Sequence, residues 1–70
     1  MAEIKETSYF VYKDAPTGRC YLCYNIYHEI VFTTKPYEAY RFSNDEEARL
    51  RLINSDCKVG VADTVYKLND

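Results

Sequence analysis

Hydrophobic positions along the chain change rhythm once. Tyr9-Phe-Val-Tyr12 and Cys20-Tyr-Leu-Cys-Tyr24 are short aromatic runs of strand length, apolar at odd and even positions alike. Between them, Pro16 pre-sets a backbone angle and Gly18 can supply a positive φ, so Asp14 to Gly18 is expected to be a hairpin loop of about five residues. The strands on either side are therefore Ser8–Lys13 and Arg19–Asn25. Asn25 to Glu29 reads as a second turn and β-branched Ile30–Thr34 as a third strand, which Lys35-Pro36 ends for want of a backbone donor. Tyr37 to Phe42 is expected to return briefly to the sheet.

From Ser43 to Asn54 the pattern becomes helical. Ser43 or Asn44 can serve as N-cap, and each has a glutamate three residues on for a capping box. Asp45, Glu46 and Glu47 set negative charge at the positive end of the helix, and Asp45 with Arg49 and Glu47 with Arg51 place acid before base one turn apart. Asn54-Ser55-Asp56 are turn residues and end the element, giving a predicted helix roughly 18 Å long. Its apolar residues do not form one stripe. Ala48 and Leu52 lie together, Leu50 and Ile53 lie across a wide arc, and Arg49 falls between them, its stem expected to lie across the buried face. After the helix, Cys57–Ala62 and Thr64–Leu68 read as one strand broken by a bulge near Asp63, where the apolar parity changes.

The predicted architecture is α+β, an antiparallel sheet of four to five strands with one helix packed on one face, in the order β-β-β-(β)-α-β. Such a helix covers one face, whereas the first hairpin is apolar on two. That excess is the main functional signal in the chain.

Seventy residues make a single domain, 1–70, with residues 1–7 polar and expected to be loose. A chain this short has little room for a deep pocket beside a core. Three cysteines cannot all pair within it, which points to a reducing, cytoplasmic setting, and the sequence holds no apolar run of membrane-spanning length. Nine basic against eleven acidic residues give a net charge of −2, too mild to identify a polyanionic partner.

Candidate chemistry is sparse. Cys20 and Cys23, with His28 and Cys57, have the residue types of a zinc site, but a strand would point the first two thiols to opposite faces and no turn residues separate them. The reading is of small core residues, with no metal and no cofactor. His28 is the sole histidine, and no nucleophile set or glycine-rich phosphate loop can be assembled around it, so an enzyme is not expected. Tyrosine is the remaining signal. Tyr9, Tyr12, Tyr21, Tyr24 and Tyr27, together with Arg49, are the candidate interface residues, since tyrosine combines apolar area, a polar tip and little rotamer entropy.

Ala39-Tyr-Arg-Phe-Ser-Asn-Asp-Glu-Glu-Ala48 resembles a phrasing met in small cytosolic proteins of bacteriophages and their hosts: an aromatic strand end, a polar cap, an acidic first turn, then alanine. The length, single-domain α+β order and lack of catalytic residues are similar to those of phage accessory proteins. The resemblance implies an inhibitor or anti-defence protein that binds and blocks a host enzyme or defence complex, and it transfers no functional residue. The expectation is thus a non-enzymatic protein-binding module acting through a tyrosine-bearing sheet face or an exposed strand edge. A homodimer would be one way to hide that face. The alternative is nucleic-acid or nucleotide binding on the same aromatic face, with Lys13, Arg19 and Lys35 on phosphates.

Overall fold

A computed structural model describes residues 2–69. It is the expected α+β arrangement: four antiparallel strands, β1 (Ala2–Ala15), β2 (Gly18–Tyr24), β3 (Ile30–Thr33) and β4 (Lys58–Leu68), in the spatial order β3-β2-β1-β4, with one short helix, α1 (Asp45–Arg49). A 3-10 turn at Pro36–Glu38 follows β3, started by the proline that ends the strand.

Register settles which side chains share a face. Tyr12 faces Tyr21 and Lys58, and Leu22 faces Phe32. Odd residues of β1 and β4 and even residues of β2 and β3 therefore lie on the helix side, where Val11 and Leu22 are wholly buried with Phe42, Ala48 and Cys57. Tyr9, Tyr24, Phe32, Leu52 and Val59 pack around that core. Past the hairpin, β1 and β2 part, and the chain from Tyr40 to Phe42 wedges between them. Tyr40 donates its N–H to the Leu22 carbonyl at 3.0 Å, and Phe42 exchanges both backbone bonds with Tyr9 at 2.9 and 2.7 Å. The expected brief return to the sheet is thus a single bridge that drops Phe42 into the core.

Several expected boundaries move. The five-residue loop is a two-residue turn: β1 runs to Ala15, which pairs with Gly18, and Pro16 occupies the position whose φ it pre-sets. Gly18 takes φ 136°, which a side chain would resist. Residues 2–7 are not loose, because Ala2 to Thr7 pair in register with Leu68 to Asp63; Met1 lies outside the described residues. The two strands extend past the core as a ribbon, giving the molecule a long axis of 45 Å against 26 and 25 Å. No bulge occurs at Asp63, which faces Thr7 in an unbroken ladder. The parity change there has another cause. Beyond Ala62 both faces of the ribbon are exposed, so no core dictates which parity is apolar.

The helix is the largest correction. Asn44 is its N-cap, accepting from the Glu47 N–H at 2.8 Å, while the Ser43 hydroxyl bonds the Glu47 carboxylate at 3.4 Å. Only Asp45–Arg49 is α-helical, and Arg51 and Leu52 continue through tighter bonds to the carbonyls three residues back. Ala48 and Leu52 meet the sheet, but Leu50 is 77 % and Ile53 53 % exposed. With no surface to bury that second arc, nothing holds a longer helix against its nucleation cost. Asn54 then turns the chain, its side chain accepting from the Asp56 N–H at 2.9 Å, and Cys57 enters the core.

Candidate functional site

The side of the sheet away from α1 carries an aromatic cluster. Phe10 and Tyr12 alternate with buried Val11, so the pleat that sends Val11 into the core sends them out. Tyr21 stands opposite Tyr12 on β2, and the Phe10 ring centroid is 5.7 Å from those of both tyrosines, with tilted planes that suit aromatic contact. Beneath Phe10 lies Gly60, its partner on β4. A Cβ there would sit within 2.9 Å of three ring carbons, so the ring rests directly on glycine backbone.

Cations frame the cluster. The Arg19 guanidinium lies 4.2 Å from the Tyr12 ring centroid, and its Nε donates to Asp14 at 2.9 Å. That hydrogen bond raises the Arg19 pKa further above its ordinary value. Arg41 projects from the wedge between β1 and β2 to 5.7 Å from the Phe10 centroid and is free of ion pairs among the described residues. Lys58, facing Tyr12 in register, is on the same side. Further out along the ribbon, Ile4, Tyr66 and Leu68 share this face and are 50, 49 and 42 % exposed. From Phe10 to Ile4 is six residues of strand, about 20 Å. At the β2 end of this face the 3-10 turn lies against the sheet, Glu38 accepting from the Thr33 hydroxyl at 2.8 Å, while α1 is on the opposite side.

A second feature lies on the helix side. Asn25 organises the loop after β2, its Oδ1 accepting from the N–H groups of Tyr27 at 2.8 Å and Glu29 at 3.0 Å. His28 takes the left-handed conformation, φ 61°, and Ile26 and Tyr27 stand at the tip, 85 and 74 % exposed. Between this loop and α1 is an open cleft of about 470 Å³, floored by Tyr24, Tyr40 and Phe42 and edged by His28, Glu47, Leu50 and Arg51. Arg51 donates to the Tyr24 hydroxyl at 3.0 Å. The cleft holds no hydrogen-bonded nucleophile and base among the described residues, and its floor suits an apolar side chain better than a reacting group.

The six candidate interface residues do not form one surface. Tyr12 and Tyr21 share the open face, Tyr9 and Tyr24 pack on the helix side of the sheet, and Tyr27 is at the loop tip. Arg49 does not lie across the core. Asp45 holds it in solvent with an ion pair at 2.6 Å. Strand parity sets Cys20 on the helix side and Cys23 on the open face, while Cys57 is in the core, so the thiols are dispersed. No group of three His, Cys, Asp or Glu side chains could hold a metal ion among the described residues. The sequence pattern alone does not mark Phe10, Arg41, Ile4, Tyr66 and Leu68 as residues of one face. Phe10 alternates with Val11, a signal visible in the sequence once Val11 is known to be buried, whereas Arg41 reaches the face only through the Tyr40–Phe42 wedge.

No protein-family model, curated protein or solved structure matches the chain. No helix among the described residues is long and apolar enough to cross a membrane.

Proposed function

We propose that the chain is a non-enzymatic protein-binding module whose main contact surface is the open sheet face centred on Phe10, Tyr12 and Tyr21. The observation that carries the reading is the half-buried aromatic cluster on the face opposite α1, resting on Gly60 and framed by Arg19, Arg41 and Lys58. Rigid aromatics at the centre with charges at the rim are the usual anatomy of a protein contact. Since Asp14 neutralises Arg19, the unpaired positive charge comes from Arg41 and Lys58, and the partner that fits presents an apolar side chain beside carboxylates. In the setting implied by the resemblance of Ala39–Ala48, that partner is a host enzyme or defence complex and binding blocks it.

The test is site-specific photo-crosslinking of the full chain in extract of the cells in which it acts. A crosslinker at Tyr12 should capture a protein, one at Ile53 on the helix side should not, and Arg41→Glu with Lys58→Glu should abolish capture while the fold is retained. Equal capture from both positions, or none from Tyr12, overturns the reading.

Binding of single-stranded nucleic acid is the second reading, favoured by the arginines set over the rings. It predicts that labelled oligonucleotide crosslinks at Tyr12 with an efficiency that falls steeply with salt.

A further inference from the structure

We propose that two copies of the chain pair through the outer edge of β4, antiparallel about a two-fold axis at Val65, to form one continuous sheet of eight strands. This surface is distinct from the open face. The argument starts from backbone phase. Tyr9 exchanges both of its backbone bonds with Phe42, so odd residues of β1 direct their N–H and C=O groups away from β4. The even residues therefore bond β4, and their partners Gly60, Ala62, Thr64 and Tyr66 are its inward-facing residues. Val59, Val61, Asp63, Val65 and Lys67 are left with N–H and C=O directed outward. Among the described residues nothing pairs with that edge, because β4 is terminal in the sheet.

Natural sheets blunt such an edge with proline, a bulge, a covering loop or charged side chains, and of these β4 has only the charges of Lys58, Asp63 and Lys67, which any pairing must match. β4 has no proline, its ladder is unbroken over eleven residues, and it carries Val61 and Val65 exposed at 61 and 45 %. Its side chains choose the register. A two-fold axis perpendicular to the sheet keeps faces aligned and sets each outward residue against another outward residue. With the axis at Asp63, two carboxylates would face each other. With the axis at Val61, Ala62 or Thr64, Asp63 would face a valine.

With the axis at Val65, Asp63 of each copy faces Lys67 of the other, twice over. Thr64 then faces Tyr66, Ala62 faces Leu68, and Val65 faces its own copy on the axis. Within the chain, Asp63 accepts from the Thr7 hydroxyl at 3.0 Å and Lys67 stands opposite Glu3. The proposed pairing therefore builds rows of Glu3, Lys67, Asp63 and Thr7 in which Lys67 stands between two carboxylates and Asp63 between a lysine and a hydroxyl. Cross-strand pairs of opposite charge stabilise a sheet, and like charges directly opposite oppose it. The pairing also gives the exposed ribbon, Ala2–Thr7 with Asp63–Leu68, additional strands on one side, where a lone two-stranded ribbon is marginal.

Sedimentation equilibrium on the full chain tests this. Wild type should reach twice its 8.2 kDa mass. Asp63→Lys and Lys67→Asp should each be monomeric with unchanged circular dichroism, because each sets like charges across the axis. An equimolar mixture of the two should return to the dimer. One variant then carries positive charge at both positions and the other negative charge at both, so every cross-axis pair is again of opposite sign. A merely unfolded variant could not be rescued this way. Val65→Pro removes an outward N–H that the monomer does not use, and should likewise give a folded monomer. A wild-type chain that stays at 8.2 kDa to millimolar concentration overturns the proposal, as does a dimer that survives Val65→Pro or a mixture that fails to associate.

Discussion

Gly60→Ala should destabilise the fold through one contact, the Phe10 ring. The new Cβ would press on the ring's Cζ and lie 2.7 and 2.9 Å from its Cε atoms, all closer than carbon atoms tolerate. To yield, the ring must leave its contacts with Tyr12 and Tyr21, each 5.7 Å away, and with Arg41, 5.7 Å from its centroid. Overpacking of this kind costs about 1–3 kcal/mol. Replacing glycine by alanine also restricts the unfolded chain, a gain of about 0.4–1 kcal/mol. The net expectation is a loss of about 1 kcal/mol. In a Phe10→Ala background the clash is gone, and the same substitution should stabilise by about 0.5 kcal/mol. The coupling of about 1.5 kcal/mol is within the range for touching residues. Urea unfolding followed by fluorescence of the eight tyrosines reads both, since no tryptophan masks them. With a slope of about 1 kcal/mol per molar, Gly60→Ala should lower the midpoint by about 1 M. An unchanged midpoint, or an equal shift with and without Phe10, would refute the placement of that ring on Gly60.

Two further expectations concern the other face. Leu22 is wholly buried, so Leu22→Ala should remove about 3 kcal/mol, a large part of the total of about 4–10 kcal/mol expected for a chain this size. Leu50→Ala, at a position 77 % exposed, should change stability by less than about 0.5 kcal/mol, and equal effects in urea would contradict the placement of the core. Asn44→Ala should cost about 1 kcal/mol because it removes the acceptor for the Glu47 N–H, and Ser43→Ala should cost clearly less. The reverse order in thermal melts would make Ser43 the cap.

Local chemistry was readable from the chain. Asn44 is one of the two caps that the acidic first turn suggested, and Asp45 bonds Arg49 as the spacing of one turn implies. The Asn54-Ser55-Asp56 turn, the break at Pro36 and the opposite faces of Cys20 and Cys23 follow equally from residue type and strand period. These features depend on neighbours within a few residues, so composition and spacing determine them. The excess of apolar residues over what one helix can cover was also legible, as a surplus without a location.

Location needed the third dimension. Helix length depended on whether Leu50 and Ile53 found a surface to bury them, and they did not, so α1 stops after Arg49. Ala2–Thr7 look too polar to fold, yet they are ordered by a partner strand more than fifty residues away in sequence, a contact no local pattern encodes. The same pairing explains why Asp63 needs no bulge. The chain by itself determined an antiparallel α+β unit with more apolar faces than covers. Only long-range pairing decided that Phe10, Tyr12 and Tyr21 share the face opposite α1 while Tyr9 and Tyr24 line the core, because one residue of register exchanges the two faces of a strand.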